Sequence, residues 1–179
     1  MKNNRVRLII GLPGSGKTSL RFLIQDSNDV VFEDWMRWDI WLNGKPPQHD
    51  FNEDDRYERL IQSIENGHDV IITSIRFCEH DFLCKAEYYL TSKFPNIIIE
   101  RYYFENNLEG TIQNILYRDH MQGGHWKVVE DGRNIYFGDH YGGMRCYDIG
   151  IENAKIYTKN YTIPERYKPI PIKVQKIEK

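Results

Sequence analysis

The feature that most constrains this chain is an eight-residue motif near its start. Residues 11–18 read Gly-Leu-Pro-Gly-Ser-Gly-Lys-Thr and match the pattern G-x-x-x-x-G-K-[ST] at every fixed position. The run at residues 6–10, apolar except for Arg7, predicts a buried strand before the motif, and residues 19–24 predict the start of a helix after it. A strand, a glycine-rich turn and a helix in this order are typical of a loop that wraps a phosphate group.

Each position of the motif has a physical role in such a loop. Glycines let the backbone turn tightly so that its N–H groups approach phosphate oxygens, and the helix N-terminus adds partial positive charge. Lys17 is expected to reach the β- and γ-phosphates of a nucleoside triphosphate, and the Thr18 hydroxyl is expected to ligate the Mg²⁺ that bridges them. The predicted nucleotide-binding residues here are Gly11, Leu12, Pro13, Gly14, Ser15, Gly16, Lys17, Thr18 and Ser19.

Composition sets wider bounds. A length of 179 residues with 40% hydrophobic residues fits one domain with a sizeable core. The formal net charge of −2 gives no overall positive field, so a nucleic-acid partner would need a local basic patch. The chain shows no secretory signal, no apolar run that would span a bilayer and no disulfide-type cysteine pattern. These features favour a cytoplasmic protein without a membrane partner.

Short apolar runs alternate with helical patterns along most of the chain. After the first strand and helix, residues 30–32, 70–72 and 97–99 predict strands, whereas residues 53–65, 82–94 and 108–118 predict helices. This alternation predicts an α/β fold with three layers, α/β/α, around a central parallel sheet. A ligand is then expected at the carboxyl ends of the strands.

The last third of the chain has a different character. We expect a single domain over residues 1–179, with a core at about 5–120 and a glycine-rich hairpin and tail at about 121–179. Asp131-Gly132 predicts a two-residue hairpin turn between strands at 127–130 and 133–137. Three later prolines predict an extended tail, with one strand at 155–158.

The motif at the start of a short chain, together with a basic helix after the last apolar strand, resembles the small P-loop kinases. This group contains adenylate kinase, polynucleotide kinase and the zeta toxins, and the resemblance covers about residues 5–120. Such kinases carry an acid at the tip of the second strand and an arginine three positions later, a spacing that Asp34 and Arg37 match. The resemblance implies that Asp34 accepts the proton of an attacking hydroxyl and that Arg37 orients the transferring phosphoryl group. A magnesium-associated role for Asp34, through water, is the alternative.

The same resemblance points to Arg118. The family places an arginine in the helix that closes over the triphosphate, and Arg118 occupies the comparable place. Its planar guanidinium suits phosphate oxygens, so it joins both the catalytic and the nucleotide-binding residues. The alternative is an exposed charge on a surface helix. The predicted catalytic residues are Lys17, Asp34, Arg37 and Arg118.

The chain departs from the family at the end of the strand at 70–72. Many relatives have an aspartate there, whereas this chain has Thr73 and Ser74. Two substitutes are open: the carboxylates of Glu79 and Asp81, or the two hydroxyls acting on Mg²⁺ through water. Arg76 is either a ligand of an acceptor phosphate or an ordinary loop charge.

Tryptophans recur every three residues after Asp34, at Trp35, Trp38 and Trp41. Indole rings beside a catalytic acid are suited to stacking a nucleobase, but an aromatic stripe at this spacing equally fits a core-facing helix.

Two functional hypotheses follow. The first is an ATP- and Mg²⁺-dependent phosphotransferase whose acceptor is a polynucleotide 5′-end, a nucleotide or another small molecule. The second is an ATP-binding or ATP-hydrolysing switch without an acceptor, which the missing strand-end aspartate favours. Adenine is favoured over guanine because no Asn-Lys-x-Asp sequence follows the motif.

Overall fold

The computed structural model of the chain describes residues 4–32, 51–121, 125–128, 134–137, 140–141 and 144–176. For residues 51–57 and 125–147, the description is confined to the backbone. Within these ranges, none of the helices has both the length and the apolar character needed to cross a bilayer.

Four strands form the central sheet, and all of them run parallel. They are β1 (Arg5–Ile10), β2 (Val30–Phe32), β3 (Val70–Thr73) and β4 (Ile98–Tyr103), in the spatial order β2-β3-β1-β4. Val6 of β1 lies opposite Val70 on one side and Ile99 on the other. The predicted α/β architecture with a parallel sheet is confirmed, and the carboxyl ends of the strands share one edge.

The described helices connect and cover these strands. They are α1 (Lys17–Ile24), α2 (Phe51–Glu65), α3 (His80–Lys93), α4 (Leu108–Met121) and α5 (Cys146–Tyr157), with a 3₁₀-helix at Ile75–Cys78 between β3 and α3. Two short antiparallel pairs precede α5: β5 (His125–Val128) with β6 (Asn134–Phe137), and β7 (His140–Tyr141) with β8 (Met144–Arg145).

The apolar side chains of β1, in the interior of the sheet, are buried on both faces, in two hydrophobic clusters. Leu8 and its same-face neighbours in β1 pack with Leu60 of α2 and Leu90 of α3 on one face. Ile9 packs on the other face with Leu20 of α1 and with Ile172 of the C-terminal tail. The tail therefore covers part of a sheet face that α1 alone does not cover.

A buried charged cluster fastens the far end of α1 to the sheet. Arg7 of β1 donates to the carbonyl oxygen of Ile24 at 2.8 Å and to Asp29 at 2.6 Å. Arg5 pairs with Asp69 at 2.8 Å, and this hydrogen bond raises the pKa of the Arg5 guanidinium. Arg7 therefore joins the C-terminal end of α1 to β1.

The predicted strand at 155–158 is wrong, because residues 155–157 form the last turn of helix α5 and residue 158 follows it in a turn. The β-branched and aromatic residues there suggested a strand, but burial follows a helical period instead. A side-chain atom at Gly150 would lie 3.6 Å from Ile115 of α4, Ala154 is fully buried, and Tyr157 packs against the main core. Packing at positions i, i+4 and i+7 outweighs local strand preference.

The predicted hairpin is confirmed as an antiparallel pair, but its register differs from the prediction. Val128 lies opposite Asn134. A two-residue turn at Asp131-Gly132 would place Val128 opposite Ile135, one residue away from the observed pairing. The connecting residues themselves lie outside the described part of the chain.

Candidate functional site

The motif forms a tight loop between β1 and α1. The amide of Ser15 donates to the carbonyl oxygen of Leu12 at 3.2 Å, and the amide of Leu20 donates to that of Gly16 at 3.0 Å, which starts the helix. Gly14 and Gly16 have φ angles of 78° and 102°, a backbone region that residues with a side chain rarely adopt. The order strand, loop and helix is therefore as the motif predicts.

The loop also leaves no room for side chains at two glycines. A Cβ atom at Gly14 would lie 2.5 Å from the carbonyl oxygen of Thr111 in α4. A Cβ atom at Gly11 would lie 2.6 Å from the Ser15 hydroxyl and 3.0 Å from Phe104, directly after β4. The loop is thus packed tightly against α4 and the end of β4.

The ammonium group of Lys17 lies inside the loop. Its side chain is buried, and Nζ donates to the carbonyl oxygens of Gly11 at 3.0 Å and Leu12 at 3.1 Å. The first N–H groups of α1 have no acceptor within the helix and carry its partial positive charge. Lysine and helix N-terminus therefore concentrate positive charge on one short segment.

A cavity of about 610 Å³ opens over this loop. Its walls come from the loop, the first turns of α1, one face of α4 and the C-terminal tail. The lining residues are Pro13, Gly14, Ser15, Gly16, Lys17, Thr18, Ser19, Leu20, Leu23, Phe104, Asn114, Tyr117, Arg118, Ile170, Pro171, Lys173 and Gln175.

The structure brings most of the predicted nucleotide-binding residues together. Residues 13–19 and Arg118 line the cavity, whereas Gly11 and Leu12 are buried beneath it and hold Lys17 with their carbonyl groups. Thr18 and Arg118 have exposed side chains. Asp34, Arg37, Trp35, Trp38 and Trp41 lie outside the described residues, so their predicted roles stay predictions.

The residues at and after the end of β3 lie away from the cavity and interact with one another. Thr73 and Ser74 are buried, and Ser74 Oγ accepts a hydrogen bond from the amide of Arg76 at 3.2 Å, which starts the 3₁₀-helix. The carboxylate of Glu79 lies 3.5 Å from Arg76, whose guanidinium stands 4.2 Å from the ring centre of Phe82. None of these residues lines the cavity.

The described donor set fits a phosphate group better than it fits a bare metal ion. Ser15 Oγ is buried and has no hydrogen-bond partner among the described residues, so it suits a ligand oxygen. The Thr18 hydroxyl lines the cavity, whereas no carboxylate does so among the described residues. A magnesium ion that keeps several waters and binds phosphate oxygens needs few protein ligands, so Thr18 fits it as one of them.

Two parts of the cavity wall were not predicted from the sequence. Asn114 lies on the same face of α4 as Arg118, four positions earlier, and this helical spacing is the signal that was available. Lys173 and the other tail residues gave no such signal, because the prolines indicate only an extended chain.

The tail is held at the carboxyl edge of the sheet by hydrogen bonds. Ile170 pairs in parallel with Phe104, its amide donates to the carbonyl oxygen of Tyr103 at 2.7 Å, and its own carbonyl oxygen accepts from Glu105 at 2.9 Å. The hydroxyl of Tyr161 lies 2.5 Å from the carbonyl oxygen of Phe104. Burial raises the pKa of Tyr161, so the hydroxyl stays a neutral donor there.

Comparison with known proteins gives only distant similarity. No protein-family model matches the chain, and no curated protein matches it. A chain from the structure of the Pnkp1/Rnl/Hen1 RNA repair complex is similar at 14% identity and a TM-score of 0.47 over 98% of this chain. This chain spans 50% of that one. The crystal structure of APE1195 is similar at 18% identity and a TM-score of 0.39, with 89% of this chain and 95% of that chain covered. At these values neither similarity assigns a family or an activity.

Proposed function

We propose that this protein is an ATP- and Mg²⁺-dependent phosphotransferase of the P-loop type. The observation that carries the proposal is the folded motif: a complete phosphate-binding sequence with two left-handed glycines and a lysine ammonium held inside the loop. A chance glycine turn would not need a buried cation, because an ammonium is expensive to remove from water.

In this proposal, different described residues bind the phosphates and the metal ion. The loop amides and Lys17 hold the phosphates of ATP, and Arg118 approaches the same cavity from α4 with a fork of donors suited to phosphate oxygens. Thr18 would hold Mg²⁺, which when bound supplies positive charge to the β- and γ-phosphate oxygens. Phosphoryl transfer depends mainly on such positioning and charge stabilisation.

The acceptor side of the proposal rests on Asp34 and Arg37. Asp34 would take the proton from the attacking hydroxyl while Arg37 orients the moving phosphoryl group, as the family resemblance implies. The acceptor class we propose is a nucleotide or a polynucleotide 5′-end.

The test is transfer of labelled phosphate. The protein is incubated with Mg²⁺ and γ-labelled ATP in the presence of 5′-hydroxyl oligonucleotides, nucleosides and nucleotides. We expect label on at least one acceptor, and loss of transfer in Lys17→Ala and Asp34→Asn. Label that appears only as free phosphate with every acceptor, and equally in Asp34→Asn, would contradict the phosphotransferase.

Release of label only as free phosphate would support the alternative function, an ATP-hydrolysing or ATP-binding switch. One observation favours this alternative: among the described residues that line the cavity, none carries a carboxylate to hold a metal or activate a nucleophile.

A further inference from the structure

The C-terminal tail forms one wall of the cavity that we assign to the nucleotide. Its residues 170–175 lie beside the phosphate loop, although they follow that loop by more than 150 positions in the sequence. Two contacts hold the tail to the end of β4: the pairing of Ile170 with Phe104, and the amide of Ile172, which donates to Glu105 Oε1 at 3.0 Å. A third contact comes from α4 and reaches the loop as well.

That third contact is the side-chain amide of Asn114. Its Nδ2 donates to the carbonyl oxygen of Gly14 at 2.9 Å and to that of Lys173 at 3.1 Å, while its Oδ1 accepts from the amide of Gln175 at 2.7 Å. An asparagine amide has two N–H donors and one carbonyl acceptor, and all three functions are used here. One side chain therefore joins the phosphate loop, α4 and the tail.

The hydrogen bond from Asn114 to Gly14 holds a peptide unit of the phosphate loop, the unit between Gly14 and Ser15. The carbonyl of Gly14 and the amide of Ser15 belong to one peptide plane, and Ser15 donates from that plane to Leu12. Asn114 and Leu12 thus hold the two sides of a peptide unit next to a left-handed glycine. Rotation of this unit would break both bonds and move the neighbouring amides.

We propose that Asn114 is a positioning residue that couples the docking of the tail to the conformation of the phosphate loop. Nucleotide binding and tail docking then strengthen each other. The inference rests on the proposed function for its ligand. Coupling of this kind is reciprocal: whatever the docked tail adds to nucleotide affinity, the nucleotide adds to tail docking.

Docking of the tail also changes the charge at the cavity wall, through Lys173. This residue lines the cavity and carries a positive charge on the docked tail, so docking brings a cation near the place where phosphates would bind. Release of the tail would remove that charge from the cavity wall.

The test combines hydrogen exchange of the tail amides with calorimetric titration of a magnesium complex of a non-hydrolysable ATP analogue. In the parent, we expect the analogue to slow exchange at residues 170–175. In Asn114→Ala, we expect faster tail exchange without ligand, an affinity about tenfold weaker, and little further slowing when the analogue is added. Gln113→Ala is the matched control, since Gln113 is the exposed neighbour on the same helix and should behave as the parent.

A second variant loosens the tail without touching the loop. Val174 lies against Gly110, where an added Cβ would come within 3.0 Å of Val174 Cγ2, and it also packs on the cluster that contains Ile9 and Phe104. Val174→Ala therefore weakens the packing of the tail on α4 and on the sheet. We expect faster tail exchange and weaker analogue binding in this variant too. Thermal unfolding confirms that each variant is folded.

The outcomes separate this inference from the function it rests on. If the parent binds the analogue while Asn114→Ala and Val174→Ala both bind it equally well despite faster tail exchange, the coupling is wrong and the proposed function stands. If the parent does not bind the analogue, both fail, whatever the tail exchange shows.

Discussion

The ammonium group of Lys17 donates a hydrogen bond to the carbonyl oxygen of Gly11, 3.0 Å away on the opposite side of the loop. This contact places a buried cation just after the carboxyl end of β1. Because burial penalises the charged form, a buried cation needs partners of opposite charge or polarity, and a bound phosphate would supply the former. The relationship between these two residues therefore connects the local fold to the proposed chemistry.

Gly14→Ala should abolish nucleotide binding and destabilise the protein by about 2 kcal/mol. The added Cβ would meet the carbonyl oxygen of Thr111 at 2.5 Å, and the φ angle of 78° is unfavourable for alanine. Denaturant unfolding measures the stability, and titration with MgATP measures binding.

Gly67→Ala is the control for that substitution. Gly67 has a similar φ angle of 83°, but nothing lies within 4 Å of its added Cβ. We expect a loss of only about 1 kcal/mol from backbone strain and unchanged MgATP binding. Equal effects of the two substitutions on binding would contradict the assignment of Gly14 to a phosphate loop.

Arg118→Ala should lower kcat/KM for phosphoryl transfer by about 100-fold and leave stability within about 0.5 kcal/mol of the parent. The side chain is exposed at the cavity, so its removal leaves no buried gap. Steady-state kinetics and thermal unfolding provide the two readouts. Arg59 on α2 is also exposed, and Arg59→Ala should change neither kcat/KM nor stability. A similar loss of kcat/KM in both variants would show that the effect of Arg118 comes from the overall charge of the protein.

Arg7→Ala should destabilise the protein by about 3–5 kcal/mol. The substitution leaves Asp29 without its 2.6 Å partner, and the Asp29 side chain is only 2% exposed. Urea unfolding at neutral pH measures the loss. Arg5→Ala should cost clearly less because the Arg5 side chain is 37% exposed, and a reversed order would show that Asp69, not Asp29, dominates the cluster.

Stability should fall as pH rises above about 10, the ordinary pKa of tyrosine. Burial raises the pKa of Tyr103 to about 12 and raises the pKa of Tyr161 further, so the folded protein keeps protons that the unfolded chain loses. The unfolded state then binds fewer protons, and the free energy of unfolding decreases with pH from about 10 upwards. Tyr161→Phe should flatten this decrease in urea unfolding between pH 9 and 11. An unchanged slope would show that Tyr161 ionises in the folded protein.

The sequence predicts the central sheet well because its signal is local. β1 and β3 each contain three consecutive apolar residues, Leu8–Ile10 and Val70–Ile72, that need burial, and the alternation of such strands with helices favours parallel pairing. The motif likewise specifies its own loop, since the glycines are required where the backbone turns through left-handed angles. Helix α5 was missed because Ile156 and Tyr157 favour a strand locally, whereas the packing of Gly150 near Ile115 of α4 and the burial of Ala154 decide the outcome.

The rest of the candidate site depends on contacts that no local pattern encodes. Asn114 and Gly14 are 100 residues apart, and the amide of Asn114 could as well have faced solvent. The pairing of Ile170 with Phe104 depends on where β4 ends and on how far the tail reaches. Such long-range choices are set by packing of the whole chain, so the sequence predicted the loop and Arg118 but not Asn114 or the tail residues of the cavity wall.

The most direct test of the account is calorimetric titration of MgATP into the parent protein and into Lys17→Ala. We expect saturable heat for the parent and binding weaker by at least about 100-fold for the variant, because the ammonium inside the loop is removed. Lys85→Ala, an exposed lysine on α3, serves as the charge-matched control and should bind like the parent. Absence of heat in the parent, or equal binding by the parent and Lys17→Ala, would contradict the central claim.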